Sequence, residues 1–318
     1  MTHPGARRTL AWAGLGLAAA VFAVGSVGLS LAAEPFLTWR YCFTWWPYIL
    51  AAESLLVLAG GESELFENPG RFLILLPLSL TVWLLFEALN FRLDNWSYVA
   101  LPQDRFWRWL GYVLSFSTVL PGLFATGRML ECMGLFKGQA ETRPLRGAEG
   151  LHAPMLATGL AFLALPLLLP GFFFPLVWLA FIPLLEPVVH SLGGKSLLAG
   201  LERGDRRPVW LLLTAGMVCG LLWEFWNWRA GARWVYHLPI DAGPRLFEMP
   251  VGGYLGFAPF AVECFVISAA FFALKNRLDN LGRATRALVW LGICLAAAAF
   301  DILVMAGIDR WTAMGLNG

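Results

Sequence analysis

The sequence contains little charge and no paired cysteines. Only 14% of the 318 residues are charged, while 58% are hydrophobic, and soluble domains contain about 25% charged residues. The five cysteines stand singly, without C-x-x-C spacing, so no cysteine motif for zinc, an iron–sulfur cluster or a disulfide framework is present. The net charge of +2 comes without a basic stretch interleaved with aromatic residues, which gives no reason to expect nucleic acid. This composition is typical of a membrane protein.

Several motifs of nucleotide and metal chemistry are also missing. The chain has no G-x-G-x-x-G, no Walker sequence, no H-E-x-x-H and no D-D-x-x-D of the kind that binds prenyl diphosphates. We therefore expect neither a cofactor nor a metal.

Nine apolar stretches are long enough to cross the hydrocarbon core of a bilayer, which takes about 20 helical residues. They lie near residues 10–32, 42–60, 71–90, 107–126, 151–169, 171–190, 208–228, 251–274 and 287–308. The predicted fold is an all-α polytopic integral membrane protein with about nine transmembrane helices. Pro170 and Gly171 separate the fifth stretch from the sixth and predict a tight reversal between them.

Basic residues are distributed unequally between the predicted loops. If the N-terminus is cytoplasmic, fifteen of the 23 lysines and arginines lie on the cytoplasmic side, as the positive-inside rule requires. This predicts a multi-pass protein of the plasma (cytoplasmic) membrane, with the C-terminus outside. Most of the sixteen tryptophans then fall near the outer face, either as an aromatic belt or as the lining of a mouth for an apolar or cationic guest.

Two parts of the chain repeat one another. Residues 45–63 match residues 178–196, which pairs Glu53 with Glu186. L-L-F-E-A-L-N-F-R at 84–92 matches L-L-W-E-F-W-N-W-R at 221–229, which pairs Glu87 with Glu224. We predict a first four-helix repeat over 1–148, a second over 149–286 and an additional transmembrane helix in 287–318. An even number of helices inserts both copies in the same direction, so the repeats are parallel.

Six acidic side chains lie within the predicted spans, where an ionised carboxylate costs about 3 kcal/mol or more. They are Glu53, Glu87, Glu186, Glu224, Glu263 and Asp301. Each could be a buried group that fixes helix packing. Alternatively, desolvation could keep the carboxyl protonated, which makes a general acid in a site that excludes water. Asn90 and Asn227 follow the second glutamate of each half on the same helical face, and Arg92 and Arg229 come shortly after.

Both halves carry the same order of short motifs after that glutamate. Glu87 is followed by Trp96-Ser97-Tyr98 and Gly111-Tyr112, and Glu224 by Trp234-Val235-Tyr236, Gly253-Tyr254 and P-F-A-V-E at 259–263. This order resembles the integral-membrane lycopene cyclases of the two-part bacterial and fused fungal type. Their duplicated units carry an acidic residue, W-x-Y, G-Y and P-x-E-E. The resemblance implies a carotenoid-like isoprenoid substrate.

The first functional hypothesis is a membrane enzyme that acts on an isoprenoid lipid by cyclisation or double-bond isomerisation. Glu224 or Glu263 would protonate a double bond, tryptophan faces would stabilise the carbocation, and a second carboxylate would take a proton back. The catalytic candidates are Glu224, Glu263, Glu87, Asn227 and Asn90. The candidates for substrate binding are Trp223, Trp226, Trp234, Tyr236, Trp96, Tyr98, Arg92, Arg229, Glu53 and Glu186.

Two other functions fit the same features. Midplane carboxylates in a duplicated bundle also describe a proton-coupled transporter of lipids or apolar solutes. A non-catalytic subunit that binds pigment or stabilises a larger membrane assembly would use the carboxylates for packing, with a membrane protein as its partner.

Overall fold

The computed structural model describes residues 4–239 and 243–316, and most of them are helical. The helices are α1 (Pro4–Ser30), α2 (Arg40–Ala59), α3 (Glu64–Glu67), α4 (Pro69–Leu93), α5 (Arg105–Phe116), α6 (Val119–Cys132), α7 (His152–Leu168), α8 (Pro170–Phe173), α9 (Phe181–Ser191), α10 (Leu197–Glu202), α11 (Arg207–Asn227), α12 (Phe257–Leu278) and α13 (Arg283–Gly307). Within the described residues, nine helical segments are long and apolar enough to cross a membrane. The prediction of an all-α polytopic membrane protein is confirmed.

Two of the nine spans are interrupted. The fourth consists of α5 and α6, and the sixth consists of α8, a 3₁₀ segment at Phe174–Trp178, and α9. The span predicted near 171–190 is present as Pro170–Ser191, but it is not one continuous α-helix. Pro183 explains the interruption, because proline lacks an N–H and its ring clashes with the carbonyl four residues earlier, that of Leu179. The chain reverses direction between α7 and α9, where the Pro170–Gly171 pair predicts it.

Helix packing repeats between the two halves of the chain. α1 packs on α2 as α7 packs on α9, α4 packs on α6 as α11 packs on α12, and α6 contacts α2 as α12 contacts α9. The added helix α13 packs on α4. The boundaries at 148 and 286 stay a prediction. α1, α7 and α13 expose most of their apolar surface, as helices at the lipid-facing rim of a bundle do.

A short sheet joins the two repeats at one end of the bundle. β1 (Trp96–Val99) pairs antiparallel with β2 (Arg233–Tyr236), so that Trp96 lies opposite Tyr236 and Tyr98 lies opposite Trp234. Because side chains alternate along a strand, these four rings share one face of the ribbon. We call them the aromatic plate. A smaller ribbon of β3 (Arg245–Leu246) and β4 (Met249–Pro250) lies after it in the chain.

Aromatic contacts also join the halves inside the bundle. Trp45 on α2 lies between Trp223 and Trp226 of α11, with ring centroids 5.3 Å and 4.9 Å apart. Gly122 on α6 leaves the room that the Trp45 ring fills, since a Cβ at this glycine would lie 2.8 Å from that ring. The core is therefore continuous between the two repeats.

Candidate functional site

An asparagine fixes the start of each strand of the aromatic plate. The Asn90 side chain accepts from the Asn95 backbone N–H at 2.8 Å and donates to the Trp96 carbonyl at 2.8 Å. In the second half, Asn227 accepts from the Trp234 backbone N–H at 3.0 Å and donates to the Trp234 carbonyl at 2.9 Å. Each asparagine thus ties the end of its helix to the following strand and sets which side chains face the plate.

Glu87 binds three donors with one carboxyl oxygen. Its Oε1 accepts from Trp83 Nε1 at 2.8 Å, from Trp96 Nε1 at 3.0 Å and from the Tyr98 hydroxyl. Trp83 lies one helical turn before the glutamate, on the same face of α4. The side chain of Glu87 has no exposed surface. The two ring donors of the first W-x-Y motif therefore converge on a buried carboxyl group.

Glu224 repeats this arrangement with one donor fewer. Its Oε1 accepts from the Tyr236 hydroxyl at 2.7 Å and from Trp234 Nε1 at 3.2 Å. Gly220 stands one turn before Glu224, where the first half has Trp83. The Phe257 ring fills that space, since a Cβ at Gly220 would lie 2.3 Å from it. Glu87 and Glu224 therefore occupy equivalent positions in the repeat, but their surroundings differ.

The second carboxyl oxygen of both glutamates is buried and has no hydrogen-bond partner among the described residues. A buried carboxyl oxygen without a donor is costly when it is charged, which suits a group that carries a proton for part of the time. Burial and the Glu87 carboxylate raise the pKa of Tyr98 well above its ordinary value, and burial and Glu224 raise the pKa of Tyr236 in the same way. Both tyrosines therefore keep their hydroxyl protons.

The plate forms one wall of an apolar cavity of about 520 Å³. Further tryptophans, phenylalanines and tyrosines surround it: Trp39, Tyr41, Trp83, Tyr112, Phe116, Phe174, Trp178, Trp223, Phe257 and Phe260. The predicted residues Trp96, Tyr98, Trp234, Tyr236, Trp223 and Asn227 all line this cavity. Glu87, Glu224 and Asn90 lie behind the lining, in contact with its tryptophans and tyrosines. A ligand in the cavity therefore meets rings and hydroxyl groups before it meets a carboxyl group.

A carboxylate from the added ninth span neutralises Arg108, one of two arginines among the described residues that line the cavity. Arg108 and Asp309 form a two-point ion pair, with Nε to Oδ1 at 2.7 Å and Nη2 to Oδ2 at 2.9 Å. Trp109 and Tyr112 also donate to Asp309, at 2.8 Å and 3.0 Å. Arg108 Nη1 donates to two backbone carbonyls. This arginine lines the cavity with its donors already used, so its charge is not available to a ligand.

Glu53 and Glu186 have a different role. Ser63 and Ser196, the N-caps of α3 and α10, donate to them at 2.6 Å and 2.5 Å. The backbone N–H of Leu65 and that of Leu198 donate to the same carboxyl groups, at 3.2 Å and 2.9 Å. These glutamates therefore complete the free N-termini of two short helices. Neither lines the cavity, and Glu53 is also paired with Arg128.

Glu263 also accepts a hydrogen bond from a backbone N–H at the start of a helix. Its Oε1 accepts from the backbone N–H of Phe181 at 2.8 Å, at the first turn of α9. Because α9 begins inside the sixth span, this N–H has no water to bind and needs an internal acceptor. Glu263 is fully buried, does not line the cavity and keeps one oxygen without a partner. Asp301, on α13, accepts from Thr81 at 3.0 Å.

Besides Glu53 and Glu186, three predicted binding residues are not brought to the cavity. Arg92 and Arg229 are exposed, and Arg229 stacks on Trp228 with 4.6 Å from its guanidinium carbon to the ring. Trp226 packs against Trp45 and Tyr48 inside the core. The sequence interpretation missed Trp83 and Asp309. Trp83 could have been found from its one-turn spacing to a buried glutamate, whereas no local pattern marks Asp309.

Within residues 4–239 and 243–316, no three histidine, cysteine, aspartate or glutamate side chains are grouped as metal ligands. Comparisons with models of known families, with curated proteins and with solved structures give no match to this chain.

Proposed function

We propose that this membrane protein is an enzyme that converts an isoprenoid, carotenoid-like lipid by acid–base chemistry, closing a ring or moving a double bond. The observation that carries the proposal is the apolar cavity with two buried tyrosine–glutamate pairs in its wall, one from each repeat. An apolar ligand reaches such a cavity from the bilayer, and the paired acids supply a proton donor and a proton acceptor to it.

The chemistry of the lining favours a carbocation. Protonation of a substituted double bond leaves a tertiary cation, which needs a surrounding that stabilises positive charge without attacking it. Faces of tryptophan rings do this by cation–π attraction, worth about 2 kcal/mol where water is excluded. Trp83, Trp96, Trp178, Trp223 and Trp234 line the cavity. Two arginines among the described residues also line it, and each has an acidic partner: Arg108 is paired with Asp309, and Arg233 lies 4.0 Å from Glu248.

The resemblance to the integral-membrane lycopene cyclases supports the same substrate class. In that family's order of motifs, the acidic residue and the W-x-Y segment are separate pieces of sequence. In this chain, the tryptophan and tyrosine of each W-x-Y segment donate to the acidic residue that precedes it. The motifs that carry the resemblance thus form one hydrogen-bonded unit in each half.

The test is conversion of an acyclic polyene in a host that accumulates it. We expect cells with the wild-type chain to contain an isomer of unchanged mass and altered absorption spectrum. Glu87→Gln and Glu224→Gln should each lower its amount by at least about 100-fold, the usual contribution of a general acid or base. Asp301→Asn is the matched control, because this intramembrane acid lies on α13 and does not line the cavity.

Other outcomes point to the other two functions. A polyene that copurifies unchanged and drives proton uptake into proteoliposomes would make the protein a carrier. A polyene that copurifies and does neither would make it a pigment-binding or assembly subunit. Full conversion by both glutamine variants would refute the acid–base proposal.

We also propose that the protein lies in the plasma membrane with its N-terminus in the cytoplasm and the cavity near the outer face. The positive-inside distribution supports this orientation. The backbone N–H of Met314 donates to the Tyr98 carbonyl at 2.8 Å, so the C-terminal segment and the aromatic plate share one membrane face. An enzyme in this orientation takes its substrate from the outer leaflet.

Thiol labelling tests the orientation. Cys132 and Cys294 are exposed and are first replaced by serine and alanine, which leaves Cys42, Cys219 and Cys264 as background. A membrane-impermeant maleimide on intact cells should label Met314→Cys and not Gly282→Cys, two exposed positions at opposite ends of the bundle. Gly282→Cys should react only after the membrane is opened. The reverse pattern would invert the orientation.

A further inference from the structure

We propose that the hydroxyl groups of Tyr236 and Tyr98 exchange protons with the substrate, Tyr236 as donor and Tyr98 as acceptor, while Glu224 and Glu87 act behind them. This inference rests on the proposed function and assigns its proton steps to particular side chains.

Access decides which group touches the substrate. Tyr98 and Tyr236 line the cavity, whereas Glu87 and Glu224 do not line it and have no exposed surface. Each tyrosine is hydrogen-bonded to its glutamate, so a proton can pass between them without moving either side chain. A substrate carbon therefore meets a phenol oxygen, and the glutamate exchanges protons with that oxygen.

The donor step uses Tyr236 and Glu224, the pair in the second half of the chain. The π electrons of a double bond form a new C–H bond with the Tyr236 hydroxyl proton, leaving a tertiary carbocation. The Tyr236 O–H, which donates to Glu224 Oε1 in the structure, first turns to the double bond, so that a neutral Glu224 donates to the phenol oxygen instead. As the hydroxyl proton leaves, the proton of Glu224 moves to that oxygen. The pair ends as a neutral tyrosine and a carboxylate.

In the acceptor step, a proton moves in the opposite direction, from the substrate to Tyr98 and Glu87. A C–H bond beside the cation breaks, its electron pair forms the new double bond, and its proton goes to the Tyr98 oxygen. The proton that Tyr98 held passes to the Glu87 carboxylate. Substrate and product have the same formula. The site resets when Glu87 releases one proton to water and Glu224 takes one up.

The direction follows from the difference between the repeats. A carboxylate is favoured in its charged form by each hydrogen bond that it accepts. Glu87 has three donors, including Trp83, and Glu224 has two, because Gly220 replaces that tryptophan. Glu87 is therefore the better-stabilised carboxylate and the base at the start of a turnover. Glu224 is the group that begins with a proton.

Infrared difference spectra of the full-length chain in detergent at neutral pH test the assignment without substrate. Glu224→Gln should remove the carbonyl stretch of a protonated carboxyl group, and Glu87→Gln should remove a carboxylate stretch. Trp83→Phe keeps an aromatic ring at this position and deletes the indole N–H, and it should convert part of the Glu87 signal to the protonated form. The same protonation state at both sites, or the opposite assignment, would overturn the proposed direction.

Turnover of the polyene tests the tyrosines. Tyr236→Phe should lower product formation by at least about 100-fold, since the phenylalanine ring has no proton to donate. Tyr98→Phe should still allow the cation to form and should give a mixture of double-bond isomers. Tyr48→Phe is the control, because its hydroxyl bonds Thr126 at 2.7 Å and does not line the cavity.

Different results refute the proposed function and the tyrosine roles. If the wild-type chain converts no polyene, the proposed function falls and the tyrosine roles fall with it. If the wild-type chain and both phenylalanine variants convert the polyene equally to one product, the proposed function stands and the tyrosine roles are refuted.

Discussion

Replacing Glu87 by leucine is expected to lower the free energy of unfolding by on the order of 3 kcal/mol. The substitution leaves three ring donors without an acceptor, those of Trp83, Trp96 and Tyr98. Each buried donor without a partner costs about 1–3 kcal/mol, and removal of a buried carboxyl group offsets part of that total. Heat unfolding of the detergent-solubilised chain, followed by tryptophan fluorescence, measures the change.

Two variants make this prediction specific. Glu87→Gln keeps a carbonyl oxygen that can accept the same three bonds, so its midpoint temperature should stay close to that of the wild-type chain. Glu224→Leu should cost less than Glu87→Leu, because only the partly exposed Tyr236 is left without an acceptor. Trp234 Nε1 keeps its 2.9 Å bond to the Tyr236 hydroxyl oxygen. An unfolding temperature for Glu87→Leu equal to that of Glu87→Gln would show that these hydrogen bonds do not hold the plate.

The fold was largely predictable because hydropathy and helix length act locally. The nine spans and the reversal after α7 follow from stretches that are close in the chain, and the duplicated glutamates follow from direct comparison of two such stretches. The interruption before Phe181 was missed although Pro183 signals it, because the apolar run continues across it without a change in composition. In a membrane, such an interruption is stable only where another side chain, Glu263 in this chain, satisfies the exposed backbone N–H.

The candidate site was predictable only in part. The repeat indicated Glu87, Glu224 and their W-x-Y segments, and the structure connects them. The sequence repeat alone could not separate these glutamates from Glu53 and Glu186, which bind the N-termini of short helices. The serines that begin α3 and α10 carried that information. Asp309 could not be found, because its main partner, Arg108, lies 201 residues away in the chain.

Gly216→Ala is expected to lower the stability of the protein strongly. A Cβ at Gly216 on α11 would lie 2.1 Å from the Phe257 carbonyl oxygen and 2.9 Å from the Ala261 Cβ on α12. Small residues let membrane helices approach this closely. Because a backbone atom is the obstacle, no rotamer change relieves the clash, and α12 has to move. Overpacking of this kind costs about 1–3 kcal/mol, occasionally more, which a lowered unfolding temperature and a loss of monodisperse protein would report.

Gly292→Ala separates this clash from the general effect of adding a methyl group to a helix. Gly292 lies on the exposed side of α13 with no atom within 4 Å of a Cβ built there, so alanine should leave stability unchanged or raise it by about 0.5–1 kcal/mol. Gly216→Ala should also impair the proposed site, because Phe257 and Phe260 on α12 form part of the cavity wall. Equal unfolding temperatures for the two variants would mean that α11 and α12 are not packed backbone to backbone, and the wall that α12 contributes to the cavity would then lack its support.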